Sequence, residues 1–189
     1  MPTSLDALPS PEPMLRNRRS SRWGSLALAG LLVSPVGLGC SSASPTTDAR
    51  RADHIIILKS KHSMVLMANG RPLKSYRVAL GKSGGDKERQ GDHKTPEGEY
   101  VIDQKNAQSR FHLALHISYP NADDRKRAHD AGTDPGGAIM IHGVEKQFAW
   151  LGSLEHDVDW TDGCIAVTNS EIGEIWKLVP VGTPVEIKP

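Results

Sequence analysis

One of the two cysteines in the chain and one of its histidines could form a nucleophile and its base. Cys164 lies in the stretch WTDGCIAV, directly after an Asp-Gly turn signal, and His142 ends the short apolar run AIMIH. A thiol becomes an effective nucleophile when a base within hydrogen-bond reach takes its proton, and histidine often has this role. The pair is therefore suited to acyl transfer through a thioester on Cys164.

A glycine lies beside each of these residues. Gly163 precedes Cys164 and allows a substrate to approach closely, and backbone N–H groups near Gly163 and Cys164 could stabilise an oxyanion. Gly143 follows His142, so the imidazole can emerge at a sheet edge beside a loop. A second interpretation fits the pattern equally well, in which Cys164 is a small buried thiol and His142 a hydrogen-bonded core histidine. The spacing alone, 22 positions (164 − 142), does not choose between them.

A single β-rich domain is predicted over residues 53–189. HIIILKS is a β-branched run typical of a buried strand, and extended runs flank Asn69-Gly70, a dipeptide that favours a two-residue hairpin turn. Further strands are expected at Glu99 to Ile102, in RFHLALHIS, in AIMIHG and in GTPVEIKP. The charged stretch PNADDRKRAHDAGTDPGG is predicted to be a surface excursion with at most one short helix.

One clear helix is predicted directly after the cysteine. Thr168 and Glu171 have the spacing of a capping box, in which each side chain satisfies a free backbone N–H at the helix start. The apolar positions at helical spacing are Ile172, Ile175, Trp176 and Val179. Pro180 ends the helix, because proline cannot continue the hydrogen-bond ladder.

Residues 1–39 have the layout of a signal peptide. An arginine cluster precedes GSLALAGLLVSPVGLGC, an uncharged run that is too short for a membrane span of about 20 residues. The ending GLGC resembles a bacterial lipobox with Gly37 in place of the usual Leu, which would make Cys40 the lipidated first residue. The alternative is ordinary cleavage within GCSSAS. Both predict export to the periplasm or cell envelope, a polar linker at residues 40–52, and membrane attachment only through a lipid on Cys40.

Composition argues against two kinds of partner. The formal net charge is +1 and no dense basic face is visible, so no nucleic acid is predicted. The chain has 8 histidines, but neither an HExxH motif nor a carboxylate-rich ligand spacing accompanies them. His112 and His116 share one face of a predicted strand and read as partly buried strand residues. No metal site and no cofactor are therefore predicted.

Several motifs, in order along the chain, resemble those of the YkuD-type L,D-transpeptidases. Residues 141–143 (IHG) and then 161–165 (TDGCI) match the family's histidine and Ser/Thr-x-Gly-Cys signatures. Upstream, TPEGEY matches its Thr-Pro-x-Gly strand entry, and the opening hairpin and VALGK look like its first strands. The resemblance extends over essentially all of residues 53–189.

The resemblance implies a mainly β fold, a YkuD-like β-sandwich with a mixed sheet that holds the catalytic cysteine. It also implies that Cys164 attacks the carbonyl between the diamino acid of a peptidoglycan stem peptide and the D-Ala after it, with His142 as base. D-Ala leaves, and an amine then resolves the thioester and forms a cross-link. Thr161 and Gly163 would shape the oxyanion turn. The substrate-lining residues would be Gly143, Trp160 and Asp162.

Two positions depart from the commonest family pattern. Asp162 stands where many members have His; its carboxylate would raise the pKa of a nearby thiol unless His142 is protonated, or it serves only as a turn residue. Ala166 stands where many members have Arg, a contact for a substrate carboxylate. GCIAVTN more closely resembles members of the superfamily that cut peptidoglycan-linked amides. Trp150 and Trp160 would either cover the substrate or pack their loop onto the sheet.

Three functions are therefore compared. The first is an L,D-transpeptidase of cell wall biogenesis. The second is a hydrolase on the same scaffold, a carboxypeptidase or an amidase, in which water resolves the thioester. The third is a non-catalytic wall-binding lipoprotein, but a binding module has no need of a free thiol together with His142 and Gly163.

Overall fold

A computed structural model describes residues 51–189, with the side chains of residue 151 and residues 153–157 left out. The predicted signal peptide, the lipidation site at Cys40 and the linker up to residue 50 lie outside the described residues. The strands are β1 (His54–Leu58), β2 (Ser63–Ala68), β3 (Arg71–Arg77), β4 (Gly98–Ser109), β5 (His112–Ile117), β6 (Met140–His142), β7 (Ile165–Ala166) and β8 (Pro184–Lys188).

All eight strands belong to one mixed sheet with the order β3-β2-β1-β8-β4-β5-β6-β7. Strand β8 pairs parallel with β1, and β6 pairs parallel with β7. The other neighbours are antiparallel. The prediction of a mainly β fold with a mixed sheet is thus confirmed.

The predicted hairpin is present at the start of the sheet. Asn69 and Gly70 connect β2 to β3 with φ values of 53° and 72°, the positive values that a two-residue turn between twisted strands requires. In β1, the side chains of Ile55 and Ile57 are fully buried. They alternate with more exposed neighbours because successive strand residues point to opposite faces.

The described residues form two α-helices, α1 (Ala122–Asp130) and α2 (Asn169–Leu178), and α2 packs against β5. Helix α1 is the short helix of the charged excursion, and it begins at a capping box of Asn121 and Asp124. Helix α2 has the predicted capping box of Thr168 and Glu171. Short 3-10 segments lie at Lys59–Lys61 and Lys146–Asp157. Within residues 51–189, neither helix has the length and apolar character that crossing a membrane requires.

The two ends of the sheet are joined beside the cysteine. Ala79, just after β3, forms an antiparallel bridge with Ala166 of β7, with N–O distances of 3.0 and 2.9 Å. Gly81 bridges Thr161. The sheet is therefore curled, and the chain after β3 is hydrogen-bonded to the segments on both sides of Cys164.

Candidate active site

The pairing of β6 with β7 sets the relative position of the candidate base and nucleophile. Ile141 pairs with Ile165, and His142 pairs with Ala166. Cys164 immediately precedes β7, so on this register it lies diagonally across from His142. Side chains two residues apart on a strand share a face. His142 thus ends one strand and Cys164 ends the turn that leads into the neighbouring strand, so the β6–β7 pairing sets their relative position.

The contacts of His142 fix which of its nitrogens carries the proton. Its Nδ1 lies 2.5 Å from the carbonyl oxygen of Gly143. Because a carbonyl oxygen only accepts hydrogen bonds, Nδ1 must donate, and Nε2 keeps its lone pair. The ring stacks on Phe111 at 4.4 Å and meets the edge of Trp160 at 6.0 Å. The imidazole is therefore oriented on three sides, with Nε2 able to take a proton.

Burial decides the charge state of both groups. Burial lowers the pKa of His142. The hydrogen bond to Gly143 raises this pKa, and the positive charge of Arg110 lowers it further. Burial also raises the pKa of the Cys164 thiol; the Met140 backbone and Lys87 oppose the rise, and Asp162 adds to it. At neutral pH the resting pair is therefore a thiol and a neutral imidazole, so proton transfer must accompany attack.

The thiol is half-buried. Cys164 is a free cysteine, and its Sγ lies 3.6 Å from the carbonyl oxygen of Ala138. Ala138 adopts a positive φ of 55°, a conformation that residues other than glycine and asparagine seldom adopt. The segment before β6 thus brings a backbone acceptor to the thiol.

A threonine closes the turn that carries the cysteine. The Thr161 Oγ1 donates to the carbonyl of Cys164 at 2.7 Å and accepts from the Gly163 N–H at 3.1 Å. The Gly163 N–H, proposed from sequence as an oxyanion donor, is therefore engaged within the turn. The N–H of Cys164 is the other donor expected from the sequence, and its role stays a prediction.

Both glycines of the signature are required by close contacts. Gly163 has a φ of 118°, and a Cβ there would lie 2.5 Å from the carbonyl oxygen of Lys94. A Cβ on Gly143 would lie 2.3 Å from the Oδ1 of Asn169. Gly143 as a whole is buried, and its predicted contact with a substrate stays a prediction.

Asp162 lies on the rim of the site. Its side chain is 75% exposed, and its Oδ1 lies 2.9 Å from the Nζ of Lys82 and 2.8 Å from the Nδ1 of His93. Both residues lower the pKa of Asp162, and Lys82, through its hydrogen bond, has the larger effect. Asp162 is therefore ionised and partly neutralised.

The tryptophans between His142 and Cys164 have different surroundings. Trp160 is 37% exposed and contacts the imidazole, whereas Trp150 is 77% exposed. Trp160 thus has both a packing contact and an open face. Ala166, at the position where many family members have Arg, is buried between β6 and Ala79.

Three residues near the site had no signal in the sequence analysis. Phe111 reaches His142 because β5 pairs with β6, and the Arg110 guanidinium lies 4.6 Å from the Phe111 ring. Asn169 begins α2 and reaches back to the residues after His142. Among the described side chains, which leave out residues 151 and 153–157, no group of three or more His, Cys, Asp or Glu is arranged to hold a metal ion.

Comparison with known proteins identifies the family. Residues 52–187 match the family described as YkuD, the L,D-transpeptidase catalytic domain. The chain belongs to this family, which confirms the resemblance seen in the sequence. It is also 36% identical over 173 residues to YafK of Escherichia coli (strain K12), a candidate L,D-transpeptidase by name, covering 82% of this chain and 63% of YafK.

Two solved structures share the fold. One is the helical cell shape determining protein Pgp2 from Campylobacter jejuni, at 24% identity and a TM-score of 0.57, covering 72% of this chain and 47% of Pgp2. The other is Bd1075 from Bdellovibrio bacteriovorus, at 24% identity and a TM-score of 0.52, covering 76% of this chain and 50% of Bd1075. The chain therefore spans about half to two-thirds of the length of these relatives.

Proposed function

We propose that this protein is a cysteine-dependent L,D-transpeptidase that acts on peptidoglycan stem peptides in cell wall biogenesis. The proposal is supported mainly by one observation: in the β6–β7 register Cys164, just before β7, lies diagonally across from His142, a buried imidazole whose Nδ1 is bonded to Gly143. That bond leaves Nε2 as the acceptor for the thiol proton. Membership of the L,D-transpeptidase catalytic domain family supports the same chemistry.

The reaction proceeds in two acyl transfers. The Cys164 sulfur attacks the carbonyl between the diamino acid and D-Ala while its proton passes to Nε2 of His142. That proton then goes to the departing D-Ala amine as the C–N bond breaks, which leaves a thioester. An acceptor amine attacks the thioester, gives its proton to His142, and forms the new amide. The proton finally returns to the Cys164 thiolate.

A product analysis with purified protein tests the proposal. The wild type and a Cys164→Ala variant are incubated with disaccharide-tetrapeptide, and the products are identified by mass spectrometry. Linked dimers with loss of D-Ala are expected from the wild type alone. Unchanged substrate in both samples, together with no covalent adduct between Cys164 and a carbapenem, would contradict any catalytic role and leave a wall-binding function.

Hydrolysis is the second candidate, and Ala166 is the observation that favours it. Ala166 is buried and offers no cation, so the contact that many family members could make with a substrate carboxylate is missing at this position. A poorly held acceptor lets water reach the thioester instead. Tripeptide without dimer in the same experiment would identify a carboxypeptidase, and release of an amide-linked partner from intact peptidoglycan would identify an amidase.

An envelope location follows from the same proposal. Pgp2, which shares the fold, is a cell shape determining protein, and the peptidoglycan on which the proposed activity acts lies outside the cytoplasmic membrane. The basic cluster and apolar run of residues 1–39 would direct export, with Cys40 as the lipidated residue. A Cys40→Ala variant should then move from the membrane fraction to the soluble envelope fraction. An unchanged distribution would exclude the lipid anchor without affecting the catalytic proposal.

A further inference from the structure

The peptide unit between Gly143 and Val144 is held at both ends. Its carbonyl oxygen accepts the hydrogen bond from His142 Nδ1 at 2.5 Å. Its N–H belongs to Val144 and donates to the Oδ1 of Asn169 at 2.8 Å. One amide group therefore links the candidate base to a side chain on the first turn of α2.

Hydrogen bonds at the two ends of a peptide strengthen each other. When the N–H donates to a good acceptor, electron density moves toward the carbonyl oxygen, which becomes a stronger acceptor itself. The Asn169 amide oxygen thus improves the acceptor that orients His142. It also holds the plane of the peptide, and therefore the direction in which the Gly143 carbonyl points.

The contact is closely built rather than incidental. A Cβ on Gly143 would lie 2.3 Å from the Asn169 Oδ1 and 3.0 Å from Ile172. Val144 is 3% exposed, so its N–H would find no water if Asn169 were shortened. An unpaired buried donor is costly. Asn169 is in turn fixed by α2, whose start is secured by the Thr168 and Glu171 capping box.

We propose that Asn169 is a positioning residue that orients His142 through the Gly143–Val144 peptide and keeps Nδ1 as the protonated nitrogen. It has the role of the third member of a catalytic triad, but acts across one amide group instead of touching the imidazole. This inference rests on the proposed function in that His142 is taken as the base.

Two substitutions separate this role from simple packing. Asn169→Ala removes the acceptor, so the Gly143 carbonyl becomes weaker and the imidazolium loses part of its stabilisation. The pKa of His142 should fall, moving the acidic limb of the kcat/KM profile to lower pH, and the plateau should drop about tenfold. Asn169→Asp keeps an oxygen in place and adds negative charge, so the same limb should move to higher pH.

A helix control accompanies them. Thr168→Ala removes the N-cap of α2 and should lower the melting temperature, since such a cap contributes about 1 kcal/mol, but it leaves the Asn169 contact intact. If loosening of α2 alone explained the effect of Asn169→Ala, Thr168→Ala would shift the pH profile in the same way. An unshifted profile in Thr168→Ala is the expected result.

A spectroscopic readout makes the test independent of turnover. Protein labelled with ¹⁵N-histidine gives separate signals for protonated and unprotonated ring nitrogens, and a His142→Gln variant identifies the signals of His142. The wild type should show a protonated Nδ1 and a free Nε2, and Asn169→Ala should show a mixture of both tautomers. A single unchanged tautomer and unchanged pH profile in Asn169→Ala would overturn the proposal. An inactive wild type with the expected spectra would instead count against the proposed function alone.

Discussion

At the residue scale, the charge of the candidate nucleophile is set by neighbours with opposing effects. Burial and the Asp162 carboxylate raise the pKa of Cys164, whereas the Met140 backbone and Lys87 lower it. Asp162 is ion-paired with Lys82 and lies largely in solvent, so its influence is reduced by screening. An enzyme that keeps its thiol protonated at rest also protects it from oxidation, because the thiolate is the reactive form.

Substitutions of Asp162 and of Lys82 should shift the pKa of Cys164 in opposite directions. Asp162→Asn removes a carboxylate that raises the thiol pKa, so the pKa of Cys164 should fall and alkylation by iodoacetamide at neutral pH should become faster, by less than about tenfold at this exposure. Lys82→Met leaves His93 as the one remaining contact of Asp162 among those described above and removes the larger counter-charge, so alkylation should become slower. The measurement is the alkylation rate against pH, followed by mass spectrometry at low and at high salt. Identical pH midpoints in all three proteins would mean that the rim charge does not reach the thiol.

The sequence was sufficient for some of these residues and not for others. Cys164 and His142 were identifiable as candidates because each follows a local signal, an Asp-Gly turn and a short apolar strand. Phe111, Arg110 and Asn169 were not, because their contacts with His142 or its backbone neighbours depend on the β5–β6 pairing and on the direction of α2. Such contacts join residues far apart in the chain and produce no periodic pattern in the sequence.

At the element scale, the polar loop of residues 82–97 supports the cysteine turn. The carbonyl of Lys94 faces Gly163 so closely that no side chain fits there. Asp92 holds this loop together, accepting from the N–H groups of Glu88, Arg89 and Lys94 and from the Nζ of Lys87 at 2.8 Å. This polar, glycine-containing loop is thus organised around one buried ion pair.

Breaking that pair should be costly. The Lys87 side chain is only 4% exposed. Asp92→Ala therefore leaves a buried ammonium group without its counter-ion. We expect a loss of about 3–5 kcal/mol in the free energy of unfolding, measured by urea denaturation. Glu88→Gln is the matched control, since Glu88 pairs with Lys94 at the surface with 69% exposure and should cost less than about 1 kcal/mol. Equal effects of the two substitutions would contradict a structural role for the buried pair.

The same carboxylate makes stability dependent on pH. Burial alone would raise the pKa of Asp92, but the hydrogen bonds from Arg89, Lys87, Glu88 and Lys94 outweigh it and hold the pKa far below the ordinary value. Because the folded pKa is depressed, Asp92 stabilises the fold above the unfolded pKa, and this contribution is lost as pH falls toward the folded value. The Asp92→Ala protein should accordingly show a flatter stability curve in acid.

Helix α2 begins and ends where the sequence predicts, but one contact at its C-terminus was not predictable. Its capping box was visible in the sequence, since Thr168 and Glu171 are local neighbours. Carbonyl groups at its C-terminus accept hydrogen bonds from a side chain outside the helix. The Nζ of Lys105 donates to the carbonyls of Trp176 and Val179 at 2.5 and 2.7 Å. A cation at a helix C-terminus is favourable, but only the folded β4 brings Lys105 there.

At the scale of the whole molecule, the last strand in sequence lies in the middle of the sheet. Strand β8 pairs parallel with β1 and antiparallel with β4, and Val185 and Ile187 are buried. Propensity predicted this strand but not its neighbours, because the pairing joins the two ends of the domain. Sheets dominated by such distant pairings fold slowly, since long loops must close first.

Removal of β8 is therefore expected to abolish the fold. A chain that stops after Thr183 loses the ladders to both β1 and β4 and should show no cooperative unfolding transition by circular dichroism. A chain that lacks only Pro189 keeps every β8 pair and should unfold like the full-length protein. A cooperative transition in the shorter chain would show that the sheet can close without its central strand.

The close approach of Gly143 to Asn169 also has a consequence for how this protein can change over generations. A methyl group at position 143 collides with the Asn169 oxygen, so that change alone damages the domain. A smaller residue at position 169 removes the closest of these contacts, leaving Phe111 and Ile172 at 3.0 Å, but it also removes the acceptor from the Val144 N–H. Neither step is neutral by itself, so the two positions are expected to be inherited as a pair. Among descendants of this sequence, a side chain at 143 should appear together with a replacement at 169.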